Sequence, residues 1–286
     1  MNKKMNIEMS WWAMEGVDTS AGNRELSQEE QVRRIAEAGF DGINGLLPKR
    51  ENADDWLRML DKYGLSFSVN AYPRTPAELK AFLDEVKAYS DITYVNAQVM
   101  TPFLTGEPAV LLLREMRQIS LEAGIPVFVE THRGTITQDL IRTCQYVSTL
   151  ADLPLTIDFS HYVVAGEMHT ISEEGEKLLQ ELLSHTASIH ARVSNGEQVQ
   201  IDPGTSMEHP MMIHFRRWWL DAMRGYLINK NAEPILPVVI ELGPPPYAIT
   251  MDESSSRKRE LGSRWQQSIR LMELMRSLWQ QTAANQ

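Results

Sequence analysis

PVFVETH, residues 126–132, sets a proline before three apolar residues and ends them on a carboxylate, Glu130. A run this short, β-branched and aromatic, and bounded by proline and polar residues, reads as a buried strand rather than a helix. The same design recurs three times downstream. Asp158 closes the apolar part of LTIDFSHY (155–162), His190 that of ASIHARV (187–193) and Glu241 that of PVVIELG (237–243). Each predicted strand delivers one oxygen or imidazole ligand where it gives out.

Outward from these four, strand patterns are predicted at residues 6–14, 40–47, 66–72, 92–100, 126–132, 155–163, 187–193 and 237–243. Helical patterns fall between them, at 53–62, 109–123, 137–150, 172–184, 209–227 and 257–281. Ser27 and Glu30 form a capping box ahead of Val32, Ile35 and Ala36. Thr75 and Glu78 form another, with Pro76 at the first helical position, where its missing N–H costs nothing. Eight strand–helix pairs in alternation imply a parallel sheet with right-handed crossovers, and this number closes a (β/α)₈ TIM barrel, an α/β fold. Residues 1–286 are read as one such domain. A doubly wound nucleotide-binding sheet would carry a GxGxxG or GxxxxGK[ST] turn, and neither occurs.

Composition narrows the partners. Hydrophobic residues make up 43% and charged residues 23%, as in globular proteins with a large core. The net charge of −10 argues against nucleic acid, which needs a basic stripe. The densest basic cluster, Arg257, Lys258 and Arg259, sits beside Glu253 and Glu260 and reads as a solvated junction. No apolar run approaches the ~20 residues of a membrane helix, and the N-terminus has no apolar signal core, so a cytoplasmic location is expected. Cys144 is the only cysteine; its spacing with Leu140, Ile141 and Val147 marks a core-facing helix position.

Three carboxylates and one imidazole converging at strand ends suit a hard divalent cation, Mn²⁺ or Mg²⁺ ahead of Co²⁺ or Zn²⁺. A single acid after a strand is as well explained as a helix cap, which is an even alternative for Asp158 taken alone. Glu130 and Glu241 end runs where an unpaired carboxylate would be costly to desolvate. His132, His161 and Arg192 lie two or three residues beyond their respective ligands. Arg192 shares the strand face of His190 and suits a hydroxyl, carboxylate or phosphate, or else pairs with an acidic ligand. Trp11 and Trp12 end the first predicted strand, so one should face the barrel mouth, with Trp12 a candidate aromatic wall for a ligand. Asn70, Asn96 and Gln98 are candidate polar contacts. The long irregular stretch 194–208 is expected to be functional, and Gly243–Tyr247 to form a stiff loop roofing the site.

Together, VETH, DFSH, IHAR and IELG resemble the xylose isomerase-like sugar isomerase/epimerase superfamily. Among ketose 3-epimerases the ordered pattern Glu…Asp-x-x-His…His…Glu supplies the metal ligands and the acid/base pair. The resemblance therefore implies Glu130, Asp158, His190 and Glu241 as ligands, Glu130 and Glu241 as the catalytic pair acting through a metal-stabilised cis-enediolate, and His161 as a substrate-binding residue. It also implies a small sugar or polyol substrate and a homo-oligomer. Arg192 follows His190 by only two residues, closer than the substrate arginine of the epimerases, so the particular sugar is not inherited. A dehydratase or lyase on a keto-sugar or keto-polyol is the nearest alternative. An endonuclease IV-like nuclease would need more histidines than the 7 present, and a non-catalytic sugar- or metal-binding barrel would not need its carboxylates.

Overall fold

The computed structural model describes residues 3–17, 24–253, 257 and 259–284. Eight parallel strands, β1 (Lys4–Ser10), β2 (Gly42–Gly45), β3 (Ser66–Ala71), β4 (Ile92–Ala97), β5 (Val127–Glu130), β6 (Leu155–Ile157), β7 (Thr186–Ala191) and β8 (Ile235–Ile240), close in chain order into a barrel. The seam runs from Lys4 opposite Ile235 to Met9 opposite Ile240. Around it lie α1 (Gln28–Glu37), α2 (Arg50–Tyr63), α3 (Pro76–Val86), α4 (Gly106–Ala123), α5 (Leu140–Thr149), α6 (Ser160–Ala165), α7 (Glu173–Leu183), α8 (Met212–Ile228) and α9 (Arg264–Ala284). The capping box at Ser27 and the Thr75 cap ahead of Pro76 both form.

Along most strands polar and apolar residues alternate, whereas β8 is apolar throughout. Ile7, Met9, Ile43, Phe67, Val69, Val95, Val129, Ile157, Ile189 and Ile240 belong to one apolar cluster with the helix faces. Between them come Glu8, Ser10, Asn44, Ser68, Asn96, Thr156, Ser188 and His190, all buried. Contacts of Glu8 on β1 with Ser68 on β3 and Tyr94 on β4 cross non-adjacent strands, which is possible only through the barrel interior. The interior of a (β/α)₈ barrel is normally filled by layers of branched apolar side chains. Here much of it is polar, and it must satisfy its own hydrogen bonds.

Several predicted boundaries move. The first strand stops at Ser10 rather than residue 14: Trp11 N–H makes one last bond to Asn44 O, and Trp12–Met14 then coils into a 3₁₀ turn. The sixth ends at Ile157, so His161 lies on α6 rather than on a strand. The last helix begins at Arg264, not 257, and Lys258 of the basic cluster lies outside the described residues. Cys144 is buried on α5 as expected, but Ile141, about 100° round the helix from Leu140, is exposed. Arg264 is buried against Glu260 and donates to the carbonyls of Ala13 and Glu15, both at 2.6 Å, tying α9 to the turn that carries Trp12.

Candidate metal centre

The four strand-end residues meet. Glu130 is the last residue of β5, Asp158 follows β6, His190 is the penultimate residue of β7, and Glu241 follows β8; all are buried. One ligand-type atom from each lies within 4.8 Å of all the others. Every strand of a barrel ends at the same rim, so equivalent positions on successive strands converge although 28 to 51 residues separate them in sequence.

Glu130 and Asp158 each take hydrogen bonds on one oxygen only among the described residues, although the Arg192 guanidinium stands 3.0 Å from the other oxygen of Asp158. Glu130 Oε2 accepts from Asn96 Nδ2 (2.6 Å) and Gln98 Nε2 (3.0 Å), and Oε1 has no hydrogen-bond partner among the described residues. Asp158 Oδ1 accepts from the Ser160 N–H (3.0 Å) and Oγ (2.5 Å) at the start of α6, while Oδ2 has no hydrogen-bond partner. The helix-end role and the ligand role of Asp158 thus fall on different oxygens. Glu241 Oε2 accepts from His190 Nδ1 at 3.1 Å and from Arg192 Nη2.

Buried carboxylate oxygens without partners are costly. Burial pushes the Asp158 carboxyl up, with Arg192 opposing. For His190, burial disfavours the charge, yet Glu241 and Glu130 outweigh it and lift the imidazole to about 9. For Glu241, burial is outweighed by the His190 and Arg192 charges, which bring it down to about 2. Among the described residues, His190 pairs with Glu241, and the Arg192 guanidinium stands 3.0 Å from Asp158 Oδ2. A divalent cation fits this donor set: it would meet the oxygens that lack hydrogen bonds and take the place of the His190 proton.

Arg192, just past β7, is 1% exposed, and its Nε and Nη1 have no hydrogen-bond partner. His132 and His161 lie ring to ring, centroids 3.8 Å apart. Burial holds His161 well below the usual histidine value, and both its nitrogens lack hydrogen-bond partners, though Nε2 is 3.7 Å from Asp158 Oδ2. Glu130, His132 and His161 also cluster at ligand distance. Glu130 is common to both groups and Oε2 already accepts two N–H bonds, so the groups compete for Oε1. This favours one ion with two histidines beside it.

A cavity of about 580 Å³ opens over the cluster, lined by Trp11, Trp12, Glu15, Glu25, Gln31, Gly45, Leu46, Asn70, Tyr72, Gln98, His132, Arg192, Glu241 and Tyr247. Both tryptophans reach it, from the turn rather than from a strand. Trp12 packs edge-on against Tyr247, 5.0 Å between centroids, and Tyr247 covers the Arg192 guanidinium at 4.9 Å. A Cβ on Gly243 would come within 2.1 Å of the Trp12 ring, so the glycine gives that ring its seat. The 194–208 stretch, expected to meet the substrate, does not line this cavity. It buries Val199 and Ile201, and Gln200 exchanges two hydrogen bonds (2.7 and 3.0 Å) with the Gly243 backbone, bracing the loop after Glu241. Glu8, Asn44, Ser68 and Tyr72 were not singled out by the sequence reading, whereas Tyr247 belongs to the loop expected to roof the site. The alternation Ser68-x-Asn70 and Asn96-x-Gln98 inside apolar strands was the available signal.

No protein-family model matches the sequence, and no curated protein matches it. Solved structures do match in fold. L-ribulose 3-epimerase superposes with a TM-score of 0.59 at 11% identity, over 99% of this chain and 96% of that one. A xylose isomerase-like TIM barrel protein from Mycobacterium smegmatis, in complex with magnesium, gives 0.57 at 13% identity, over 96% and 98%. A xylose isomerase domain protein from Planctomyces limnophilus gives 0.56 at 11%, over 99% of both chains. The fold is that of the xylose isomerase-like TIM barrels. Among the described residues no helix is long and apolar enough to cross a membrane.

Proposed function

We propose that the protein is a divalent-metal-dependent isomerase or epimerase acting on a small sugar or sugar derivative. The observation that carries this reading is the buried Glu130–Asp158–His190–Glu241 cluster beside an open cavity that Glu241 lines, with Glu130 Oε1 and Asp158 Oδ2 making no hydrogen bond among the described residues. These four residues would hold the ion. When bound, the cation supplies Lewis-acid polarisation of a carbonyl and balances the negative charge that grows on its oxygen. Glu241, kept ionised by His190 and Arg192, is suited to taking a proton from the carbon beside that carbonyl, and Glu130 to returning one. Arg192, with Nε and Nη1 free of hydrogen bonds, would orient a substrate oxygen. Trp12 and Tyr247 would wall the sugar face, and His132 and His161 would bind its hydroxyls. Mg²⁺ or Mn²⁺ suits this oxygen-rich set, and the fold neighbour holding magnesium supports that choice.

A lyase reading is favoured by one observation, the His132–His161 pair beside Glu130. An imidazole there could protonate a departing β-hydroxyl, and dehydration would follow the same initial proton removal. The deciding experiment incubates the Mn²⁺- or Mg²⁺-loaded protein in D₂O with a panel of ketoses and keto-inositols. A stereoisomer or aldose carrying solvent deuterium supports the first reading, and water loss with a new ultraviolet chromophore supports the second. No turnover across the panel, or activity unchanged in Glu241→Gln, would sink both.

A further inference from the structure

A chain of hydrogen bonds leaves Glu130 and crosses the interior to β1. Asn96 Nδ2 donates to Glu130 Oε2 (2.6 Å) and to Asn70 Oδ1 (3.1 Å). Asn70 Nδ2 donates to Asn44 Oδ1 (2.9 Å), Asn44 Nδ2 to Ser68 Oγ (2.9 Å), and Ser68 Oγ to Glu8 Oε2 (2.5 Å). Tyr94 also donates to Glu8 Oε2, and Asn6 to Oε1, each at 3.2 Å. All links from Asn96 to Glu8 are buried except Asn70, which is half-buried at the cavity wall.

While Glu8 is ionised it can only accept, and the direction of this chain is then not free. A hydroxyl has one hydrogen, and Ser68 gives its own to Glu8, so Asn44 must turn an N–H toward Ser68. The oxygen of Asn44 then faces Asn70, which must donate to it and so present its own oxygen to Asn96. Asn96 is left with its amino group between Asn70 and Glu130, one hydrogen for each. Flipping any of the buried amides along the chain would set donor against donor or oxygen against oxygen.

We propose that Glu8, through Ser68, Asn44, Asn70 and Asn96, is a positioning device that fixes which oxygen of Glu130 is tied down and which is offered to the ion and the substrate. Glu8 and Ser68 make no hydrogen bond to a ligand; they act by setting the sense of the amides between. The inference rests on the metal reading above, and binding of Mn²⁺ separates the two. Mn²⁺ affinity and the paramagnetic resonance spectrum of the saturated complex are measured for wild type, Asp158→Asn, Ser68→Ala, Ser68→Thr and Asn70→Leu. Wild-type binding abolished in Asp158→Asn establishes the centre. Ser68→Ala, which frees Asn44 to flip, is then expected to weaken Mn²⁺ about tenfold and to alter the spectrum, as loss of outer-shell support does elsewhere. Ser68→Thr, which keeps the hydroxyl, restores both, and Asn70→Leu matches or exceeds the alanine effect. If Asn70→Leu fails to fold, the Ala/Thr pair at position 68 decides. Wild-type affinity and spectrum in Ser68→Ala overturn the positioning role alone, whereas absence of Mn²⁺ binding by the wild type overturns the metal reading and this inference together.

Discussion

The two halves of the barrel are built to the same plan and filled differently. Strands β2–β4 present Asn44, Ser68, Asn70 and Asn96 to the interior, neutral groups that bond to one another, with Glu8 of β1 as the carboxylate joined to them. Strands β5–β8 end in Glu130, Asp158, His190, Arg192 and Glu241, charged groups packed around oxygens without hydrogen bonds among the described residues. Neutral amides hold their geometry at modest electrostatic cost, while the charged cluster bears the cost of its own desolvation, which a bound cation would offset. One half is thus suited to holding and the other to reacting.

The largest test of this contrast is chemical. Glu241→Gln is expected to lower turnover by about 10³-fold, near 4 kcal/mol, in whichever ketose assay proves active. A comparable loss of turnover in Asn44→Ala would break the division of labour. Next comes Arg192→Leu. Removing the buried guanidinium strips Asp158 and Glu241 of a counter-charge, so chelator-treated protein should lose on the order of 3–5 kcal/mol by denaturant unfolding, and Mn²⁺ should return part of it.

Glu8 allows the holding half to be tested by pH. Burial raises its carboxyl from 4.5 to about 7 against the Ser68 and Tyr94 hydrogen bonds. A raised carboxyl destabilises the fold as it ionises: this contribution is neutral below about pH 4.5 and costs progressively more as pH rises through about 7. Relative to wild type, Glu8→Gln should therefore gain stability between about pH 5 and pH 8, on the order of 3 kcal/mol, in melts recorded across that range. A difference that stays flat with pH would show Glu8 titrating normally. The smallest effect is expected at the mouth. Gly243→Ala drives a methyl into Trp12 and should cost about 1–3 kcal/mol of stability, with sugar binding weakened more than Mn²⁺ binding. Equal losses for ion and sugar would place Trp12 in the support of the centre rather than in the wall.

Local patterns carried the architecture. The β-branched runs, the Ser27 and Thr75 caps and the lack of a phosphate-binding turn each depend on neighbours in the chain, and they foretold eight parallel strands in order. The ligand-type residues were legible for the same reason: a charged residue ending an apolar run is conspicuous wherever it occurs. Boundaries were less so. Trp12 and His161 sit on helical turns because β1 and β6 stop early, at Ser10 and Ile157. The 194–208 stretch looked like a substrate loop until its Gln200 proved to be paired with Gly243.

Sequence alone thus determined the closed α/β barrel and the four groups at its rim, since strand periodicity and strand-end position are properties of short segments. Tertiary structure decided which oxygens of those groups are tied and which are free, how Arg192 is shared between Asp158 and Glu241, and that Glu8 is joined to Glu130 by a chain of amides. Those facts depend on side chains from as many as five strands meeting in one barrel interior, and no single stretch of sequence contains that meeting.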